Sequence, residues 1–155
     1  MDQLQVRKAE PADAASVGRL LDELGHPAPD DDVADRLRWF SRSGADHVLA
    51  AIAEAEAVGL LTLSVLPRFV ITGRFAVVTT LAVPPGGDRD RIARALAGEA
   101  ESLARRHGCT AIEVVTERRT DGQIDEPFGS LGYSIADEHQ MRCEKPLDLP
   151  SPIRV

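Results

Sequence analysis

The apolar residues of the N-terminal third follow first a strand period and then two helical periods. Residues 3–8 alternate between apolar and polar side chains, as a half-buried strand does. Pro11 begins a helical segment that Gly25 ends, and its apolar stripe consists of Ala14, Val17, Leu20, Leu21 and Leu24. The run Asp30–Asp32 predicts the start of a second helix, which ends near Gly44 and turns inward Val33, Leu37 and Phe40.

The middle of the chain consists of apolar and β-branched runs that short polar turns separate. Residues 47–53 and 58–66 predict two strands, and residues 54–56 between them predict a hairpin turn. A loop over residues 67–73 leads to a third strand over residues 74–83, which contains the β-branched run FAVVTTLAV. This section is therefore expected to be a sheet of neighbouring strands.

The strongest helical pattern covers residues 89–107. Gly108 ends it, and one face carries Ile92, Leu96, Ala100 and Leu103. A buried strand is expected directly afterwards, over residues 109–116. Because this unit is strand–helix–strand, it predicts at least one parallel pair in the sheet.

The C-terminal quarter predicts one more helix and two more strands. Residues 121–131 suggest a short helix that Pro127 interrupts, and two strands are expected from Tyr133 to about Pro146. The predicted order is then β-α-α-β-β-β-α-β-α-β-β. We expect one domain over residues 1–147, followed by a loose tail over residues 148–155.

Composition narrows the class of protein. The 155 residues are 43% hydrophobic, which predicts a soluble globular protein with a substantial core. The net charge of −7 and the 4% aromatic content exclude a typical nucleic-acid binder, which needs a basic surface or a stacking platform. No apolar run is long enough to span a membrane, and the N-terminus lacks the apolar region of an export signal.

Cysteine and histidine usage points away from metal and redox chemistry. Cys109 and Cys143 are far apart in sequence, so we expect reduced thiols and a cytoplasmic protein. The four histidines have no metal-ligand spacing, and no metal is expected. Gly-rich nucleotide loops are absent, and the segment GSLG (129–132) is one residue too short for a nucleophile elbow.

The junction LAVPPGGDRDRIARAL, residues 81–96, joins a buried strand to a helix through a loop rich in proline and glycine. Helix N-termini bind anions, because their first N–H groups lack partners and the dipole end is positive. Arg89, Arg91 and Arg94 oppose that dipole, and a bound anion would relieve the conflict. Asp88 and Asp90 would relieve it too, as capping acids, so both an anion-binding loop and a simple chain reversal stay open.

The element order and several segments resemble the GCN5-related N-acetyltransferases (GNAT). The strand end Leu81-Ala82-Val83, the helix end RRHGC (105–109), the strand AIEVV (111–115) and the late segment PFGSLGY (127–133) are similar to their counterparts in that family. The resemblance covers residue 3 to about residue 146. It implies an α/β (α+β) fold with a mixed, mostly antiparallel sheet flanked by about four helices.

The resemblance also implies a chemistry and a site. The expected activity is transfer of an acetyl or other acyl group from acyl-CoA to an amine of a small molecule or peptide, without a metal. Family members are often dimers, so a homodimer is a further expectation. The residues expected to bind acetyl-CoA are Leu81, Ala82, Val83, Arg89, Arg91, Ile92, Ala93 and Arg94.

Two parts of the family pattern are altered in this sequence. In the loop, Asp88 stands at the usual arginine or glutamine and Arg91 at the first small residue. The late tyrosine, which protonates the leaving thiolate in the family, corresponds to Phe128, and the acidic position falls near Thr79 or Thr80.

Two other residues are candidates for the catalytic acid and base, each with a structural alternative. Glu113 is a candidate base or a solvent-facing strand residue, and Tyr133 is a candidate acid or a packing residue. A second hypothesis therefore stands beside the enzyme: a GNAT-fold protein that has lost catalysis and acts as a ligand-binding or regulatory module.

Overall fold

One mixed sheet of five strands organises the described part of the chain, which is residues 3–116, 120–121, 124 and 126–148 of a computed structural model. The elements follow in the order β1 (Gln5–Lys8), a 3-10 turn (Pro11–Asp13), α1 (Ala14–Glu23), α2 (Asp30–Arg42), β2 (Asp46–Ala53), β3 (Glu56–Pro67), β4 (Arg74–Ala82), α3 (Arg89–Arg106) and β5 (Cys109–Val114). The chain divides into two units, residues 1–115 and 116–155. All of these elements lie in the first unit.

The strands lie in the order β1-β2-β3-β4-β5. The first four are antiparallel neighbours, and β5 pairs with β4 in parallel after the crossover through α3. The predicted mixed, mostly antiparallel sheet and its parallel pair are therefore confirmed. Where about four helices were expected, the described residues form three α-helices and one 3-10 turn.

Helices cover the two faces of the sheet and enclose two apolar clusters. Alternate residues of β2, β3 and β4 pack beneath α3, and Leu49, Leu61, Leu63, Val78, Leu96 and Leu103 are the large members of that cluster. On the opposite face α1 and α2 pack on β2 and β3, and the large buried members there are Val17, Leu20, Val33, Leu37, Val48 and Leu60. The sequence periodicity predicted these inward faces correctly, because strand and helix periods fix which side chains share a face.

The hairpin between β2 and β3 has a strained turn. Glu54 and Ala55 have φ angles of 50° and 65°, in the left-handed region that glycine or asparagine usually occupies. The predicted hairpin is confirmed, but its turn contains neither of these residues. The register of Ile52 with Ala57 and of Ala53 with Glu56 holds the turn closed.

The short helix predicted over residues 121–131 is wrong for the residues described there. Residues 126–132 form turns, in which the Leu131 amide donates to the carbonyl groups of Pro127 and Phe128 at 3.2 Å each. The helix cannot continue, because Pro127 offers no N–H and Gly132 has a φ of 90°, outside the helical region. Residues 122, 123 and 125 lie outside the described residues.

The two strands predicted from Tyr133 to about Pro146 are also wrong. Residues 133–146 are described and contain no strand. The Asp137 carboxylate accepts a hydrogen bond from the His139 amide at 2.8 Å, which is a local turn that competes with strand pairing. Most of this segment is exposed, so little burial favours a strand. In the predicted tail only Asp148 is described, and the single domain over residues 1–147 stays a prediction.

Candidate functional site

Strand β4 extends beyond its pairing with β5. The parallel register between them ends at Val78 and Val114, whereas β4 runs to Ala82 and stays paired with β3 on its other side. Within the described residues, Thr79–Ala82 therefore has one edge without a neighbouring strand. Because successive residues of a strand direct their backbone groups to alternate sides, this edge presents N–H and C=O groups that no strand partner takes.

A β-bulge marks the point where β4 leaves β5. Leu63 of β3 pairs with Val78 and Thr62 pairs with Thr80, so Thr79 is the extra residue. Bulges bend a strand and redirect its side chains, and they are common beside active sites. The Thr79 hydroxyl lies 2.7 Å from the Thr62 hydroxyl and donates to the Thr62 carbonyl at 3.3 Å.

The loop after β4 leads to an open helix start. Asp88 is the N-cap of α3, but its side chain makes no capping hydrogen bond. The Ile92 amide donates to the Asp88 carbonyl at 3.0 Å, which is the first hydrogen bond of the helix. A side chain at Gly86 or Gly87 would meet nothing within 4 Å, so there is open space at this helix end. A helix N-terminus with such space is suited to an anion.

The charges at this helix start partly neutralise one another. Asp88 and Arg91 form an exposed ion pair, with 3.7 Å between Oδ1 and Nη1. Arg89, Arg91 and Arg94 are all exposed along the first two turns. Asp88 therefore does not leave the junction acidic, because a neighbouring guanidinium offsets its charge.

The side chains of the other residues predicted to bind the cofactor pack in or against the apolar core, or are half-buried. Val83 and Ala93 are buried, Leu81 and Ile92 pack against the cluster beneath α3, and Ala82 is half-buried. What Leu81–Val83 offers at the surface is backbone rather than side chain. The chain thus places all of the predicted residues along one strand–loop–helix junction.

Gly59, which is not among the predicted site residues, limits how closely α3 approaches the sheet. A Cβ at Gly59 of β3 would lie 2.8 Å from Ile92 Cγ2, 3.1 Å from Leu96 Cδ1 and 3.3 Å from Val83 Cγ2. Only a glycine leaves room for these three side chains. The available signal was a lone glycine within an apolar strand pattern, which often marks such a close approach.

Glu113 lies on β5, in register with Val77 of β4, and is half exposed. Its Oε1 lies 4.0 Å from Nη2 of Arg68, and the Arg68 guanidinium lies 4.5 Å from the ring centroid of Phe75. The carboxylate is thus accessible and has a cationic neighbour. Val77 and Glu113 share the sheet face opposite α3, since Ala76 and Val78 lie beneath that helix.

In the second unit Phe128 and Tyr133 form an edge-to-face ring pair, with centroids 5.1 Å apart. Phe128 is buried and Tyr133 is half-buried. The Tyr133 amide donates to the Phe128 carbonyl at 3.1 Å, so a tight turn brings the two rings together. This packing is the structural alternative that the sequence left open for Tyr133.

Other ionisable groups lie away from this junction. His47 of β2 is buried, its Nε2 has no hydrogen-bond partner among the described residues, and its ring lies 5.0 Å from that of His107. Burial, together with the charges of Lys8 and His107, lowers the pKa of His47. Burial raises the pKa of the Cys109 thiol. Within the described ranges no cluster of three or more acidic, histidine or cysteine side chains is arranged to hold a metal, and no helix is suited to crossing a membrane.

Comparison with known proteins gives a family and a common fold. The model of the acetyltransferase (GNAT) family matches residues 16–137. A GNAT family acetyltransferase from Staphylococcus aureus superposes with a TM-score of 0.74 at 18% identity, over 95% of this chain and 100% of the other. An aminoglycoside acetyltransferase from an uncultured soil metagenomic sample gives 0.70 at 25% identity, over 94% and 99%.

A third structure, an aminoglycoside N-acetyltransferase in complex with CoA, superposes with a TM-score of 0.75 at 15% identity, over 94% of this chain and 97% of the other. No curated protein matches the chain.

Proposed function

The chain belongs to the GNAT acetyltransferase family, and on that premise we propose that it is an N-acyltransferase that uses acetyl-CoA and a primary amine of a small molecule or peptide. The observation that carries the proposal is the strand–loop–helix junction, where the unpaired edge of β4 runs into the uncapped start of α3. The edge of β4 beyond Val78 would offer backbone groups to an extended thioester arm, and the open helix start would offer N–H groups to a diphosphate. The CoA complex of a protein with the same fold supports this choice of donor.

The donor's diphosphate would lie at the first turn of α3. Backbone N–H groups and the positive dipole end attract it there, and the open space at Gly86 and Gly87 allows close approach. Arg89, Arg91 and Arg94 add positive charge around this turn. Ile92 and Ala93 hold the turn against the core, so their contribution is to position the backbone.

The pantetheine arm and acyl group would lie along the free edge of β4, at Leu81–Val83. When bound, acyl-CoA supplies an activated thioester, and backbone N–H groups of this edge donate to its carbonyl oxygen. The amine nitrogen attacks the carbonyl carbon, so a C–N bond forms and the C–S bond breaks. The nitrogen loses one proton and the leaving sulfur gains one, so no net redox change occurs.

Glu113 is the proposed group that takes the proton of the amine. Its carboxylate is half exposed, lies on the strand next to β4 and is not tightly paired, since Arg68 is 4.0 Å away. A general base typically contributes about 10²–10⁴-fold in rate. Tyr133, the candidate acid of the sequence, belongs to the second unit, where its ring packs against Phe128.

The first test of the proposal is binding of acetyl-CoA, measured by calorimetry and by thermal unfolding. A ligand at one hundred times its dissociation constant stabilises a protein by about 2.7 kcal/mol, and we expect the unfolding temperature to rise by roughly 5–10 °C. No shift at millimolar acetyl-CoA would contradict the proposal. It would leave the junction as a chain reversal with solvated charges.

Arg91→Glu tests the place of the diphosphate. An exposed charge contact to phosphate is worth about 1–2 kcal/mol, so affinity for acetyl-CoA should fall about 5- to 30-fold and depend less on salt. Arg105→Glu is the matched control, because it reverses an exposed charge in the last turn of the same helix. Equal losses in both variants would mean that only net charge matters.

The second hypothesis, a ligand-binding or regulatory module without turnover, is favoured by the altered loop and by Phe128. The loop has Asp88 and Arg91 at its altered positions, and Phe128 has no hydroxyl. Release of CoA from acetyl-CoA in the presence of amines distinguishes the two functions. Binding without amine-dependent CoA release, with kanamycin, spermidine and alanine amide as acceptors, would favour the module.

A further inference from the structure

The turn between β3 and β4, residues 67–73, carries the two most exposed large apolar side chains of the described residues. Phe69 is 103% exposed, Val70 94% and Ile71 59%, and Leu66 at the end of β3 is 39% exposed. A phenylalanine side chain has roughly 200 Å² of surface. The turn, called the hairpin tip below, therefore compares with the largest apolar patch of a typical monomer, about 300–600 Å², which is often an interaction surface.

Contacts at the base of the hairpin tip direct its apolar residues outward. The Arg68 amide donates to the Gly73 carbonyl at 2.9 Å, and Gly73 has a φ of 114°, which suits a glycine. The Arg68 guanidinium lies 4.5 Å from the ring centroid of Phe75 on β4. These contacts close the turn below residues 69–71, so the three apolar side chains project into water instead of folding onto the sheet.

Arginines surround the hairpin tip. The sequence PRFVITGR, residues 67–74, contains two arginines and no acidic residue. The end of α3 lies beside it, because Arg74 Nη1 is 3.5 Å from the His107 carbonyl oxygen. Arg105 and Arg106 are exposed in the last turn of that helix. Four guanidinium groups therefore belong to the tip and to the helix end next to it.

Two acidic side chains lie close to these arginines. Glu113 Oε1 is 4.0 Å from Arg68 Nη2, and Glu99 Oε1 is 3.0 Å from Arg106 Nη2. They offset two of the four positive charges. The surface beside the tip thus stays basic, although the net charge of the chain is −7.

The chemistry of this surface favours one kind of occupant. Apolar side chains surrounded by guanidinium groups match the boundary between the headgroups and acyl chains of an anionic bilayer. A second copy of the chain would bring the same arginines face to face across a two-fold axis, and like charges oppose that contact. A protein partner would have to offer a pocket for a convex tip, whereas a fluid lipid boundary adapts to it.

We propose that the hairpin tip attaches the protein reversibly to an anionic lipid surface: residues 69–71 enter the bilayer boundary, and the arginines bind headgroup phosphates. An apolar signal and a basic signal, each weak by itself, together give reversible binding. The tip and the strand–loop–helix junction lie at opposite ends of β4, about 25 Å apart at roughly 3.3 Å per residue. The inference therefore does not depend on the proposed acyl transfer.

Co-sedimentation with vesicles tests the proposal without acetyl-CoA. The protein should bind vesicles of equal parts phosphatidylglycerol and phosphatidylcholine, and NaCl should release it because salt screens exposed charges. Phe69→Ala should lower the partition coefficient about 10-fold, since it removes most of a buried aromatic side chain. Arg74→Gln should lower it about 5-fold, the value of one cation near an anionic surface. Neither result requires an active enzyme.

Trp39→Ala and Arg36→Gln are the matched controls, because they remove an exposed aromatic ring and an exposed guanidinium from α2. Both should bind the vesicles as the unaltered protein does. Insertion has its own readout, since Trp39 is the chain's one tryptophan. A double variant with Trp39→Phe and Phe69→Trp should shift its fluorescence emission to shorter wavelengths when the anionic vesicles are added.

Four results would overturn the attachment site. They are no binding to the anionic vesicles, equal binding to phosphatidylcholine alone, equal losses in the two α2 controls, and emission from position 69 that vesicles leave unchanged. In sedimentation equilibrium, a mass that rises with concentration, but not in Phe69→Ala, would assign the tip to a second copy instead.

Discussion

The two ends of strand β4 differ in almost every physical respect. At the closed end, Arg74–Val78, the strand is paired on both sides, and Arg74 also donates to the His107 carbonyl at the end of α3. At the open end, Thr79–Ala82, only β3 is a neighbour among the described residues. The open end also carries the bulge, the threonine pair of Thr62 and Thr79, and the loop to the uncapped start of α3.

Along one strand, this difference separates backbone that is paired on both sides from backbone that can bind a ligand. A strand paired on both sides has little backbone left to bind anything, whereas a free edge can bind an extended ligand. Packing has to hold the open end in place, because the hydrogen bonds to β5 no longer do so. Gly59 and the α3 side chains above it supply that packing.

The substitution with the largest expected effect disrupts the packing of α3 at the open end. Gly59→Ala places a methyl group 2.8 Å from Ile92 Cγ2, so Ile92 has to move, either by itself or together with α3. Overpacking of this kind destabilises by about 1–3 kcal/mol, and affinity for acetyl-CoA should fall as the helix start moves. Urea denaturation and calorimetry measure the two effects.

Gly98→Ala, in the middle of α3, is the control. Its Cβ would meet nothing within 4 Å, so we expect stabilisation by about 0.5–1 kcal/mol. If Gly59→Ala does not destabilise the protein relative to this control, the comparison between the two ends is wrong.

The next effect is a pH dependence that belongs to the closed end. Burial, then Lys8 and His107, lower the pKa of His47 below its ordinary value, and Asp46 and the Gly44 carbonyl only partly oppose them. As the pH falls, His47 is therefore protonated in the unfolded chain at a higher pH than in the folded chain. The contribution of His47 to the free energy of unfolding is complete above pH ~6.5. It is lost as the pH falls toward the lowered pKa of the folded state, by at most about 1.4 kcal/mol per pH unit.

Urea denaturation between pH 7.5 and pH 5 checks this loss. His47→Leu should flatten the pH dependence, because it removes the buried titrating group. His26→Leu should leave the dependence as it is, since His26 is exposed. A slope that survives His47→Leu would assign the acid sensitivity to another group.

The last comparison concerns the hairpin turns at the two ends of the sheet. On the side of the open end, Ala55 has a φ of 65°, whereas Gly73 at the closed end has a φ of 114°. Ala55→Gly should stabilise by about 1 kcal/mol by removing a left-handed alanine, and Gly73→Ala should destabilise by about 1–3 kcal/mol. Thermal unfolding of both variants checks these opposite signs, and equal signs would contradict the strain argument.

Some helices and strands could be predicted from the sequence and others could not, for physical reasons. The helix over residues 89–106 and the strands β2 to β4 were predictable, because each has a long run with one clear period. The strands expected after Tyr133 failed, because a short run of mixed residues forms a strand only if a neighbour pairs with it. The helix expected near Pro127 is absent because Pro127 and Gly132 both oppose a helix, and both are local signals in the sequence.

The candidate site was predictable in place but not in detail. The motif around Leu81–Val83 and Arg89–Arg94 indicated the junction, since these residues are contiguous in sequence. The threonine pair and the approach of Gly59 to α3 join residues that are far apart in sequence. No local pattern encodes the register that brings Thr62 opposite the bulge.

By itself, the sequence determined the periods, the inward faces and the hairpin turn between β2 and β3, because these depend on neighbours within a few residues. The tertiary structure decided where β4 parts from β5, which hydroxyl groups meet and how closely α3 lies on the sheet. These features depend on strand register and on packing between distant segments. A one-residue difference in register changes which side chains face each other, and no single stretch of sequence determines it.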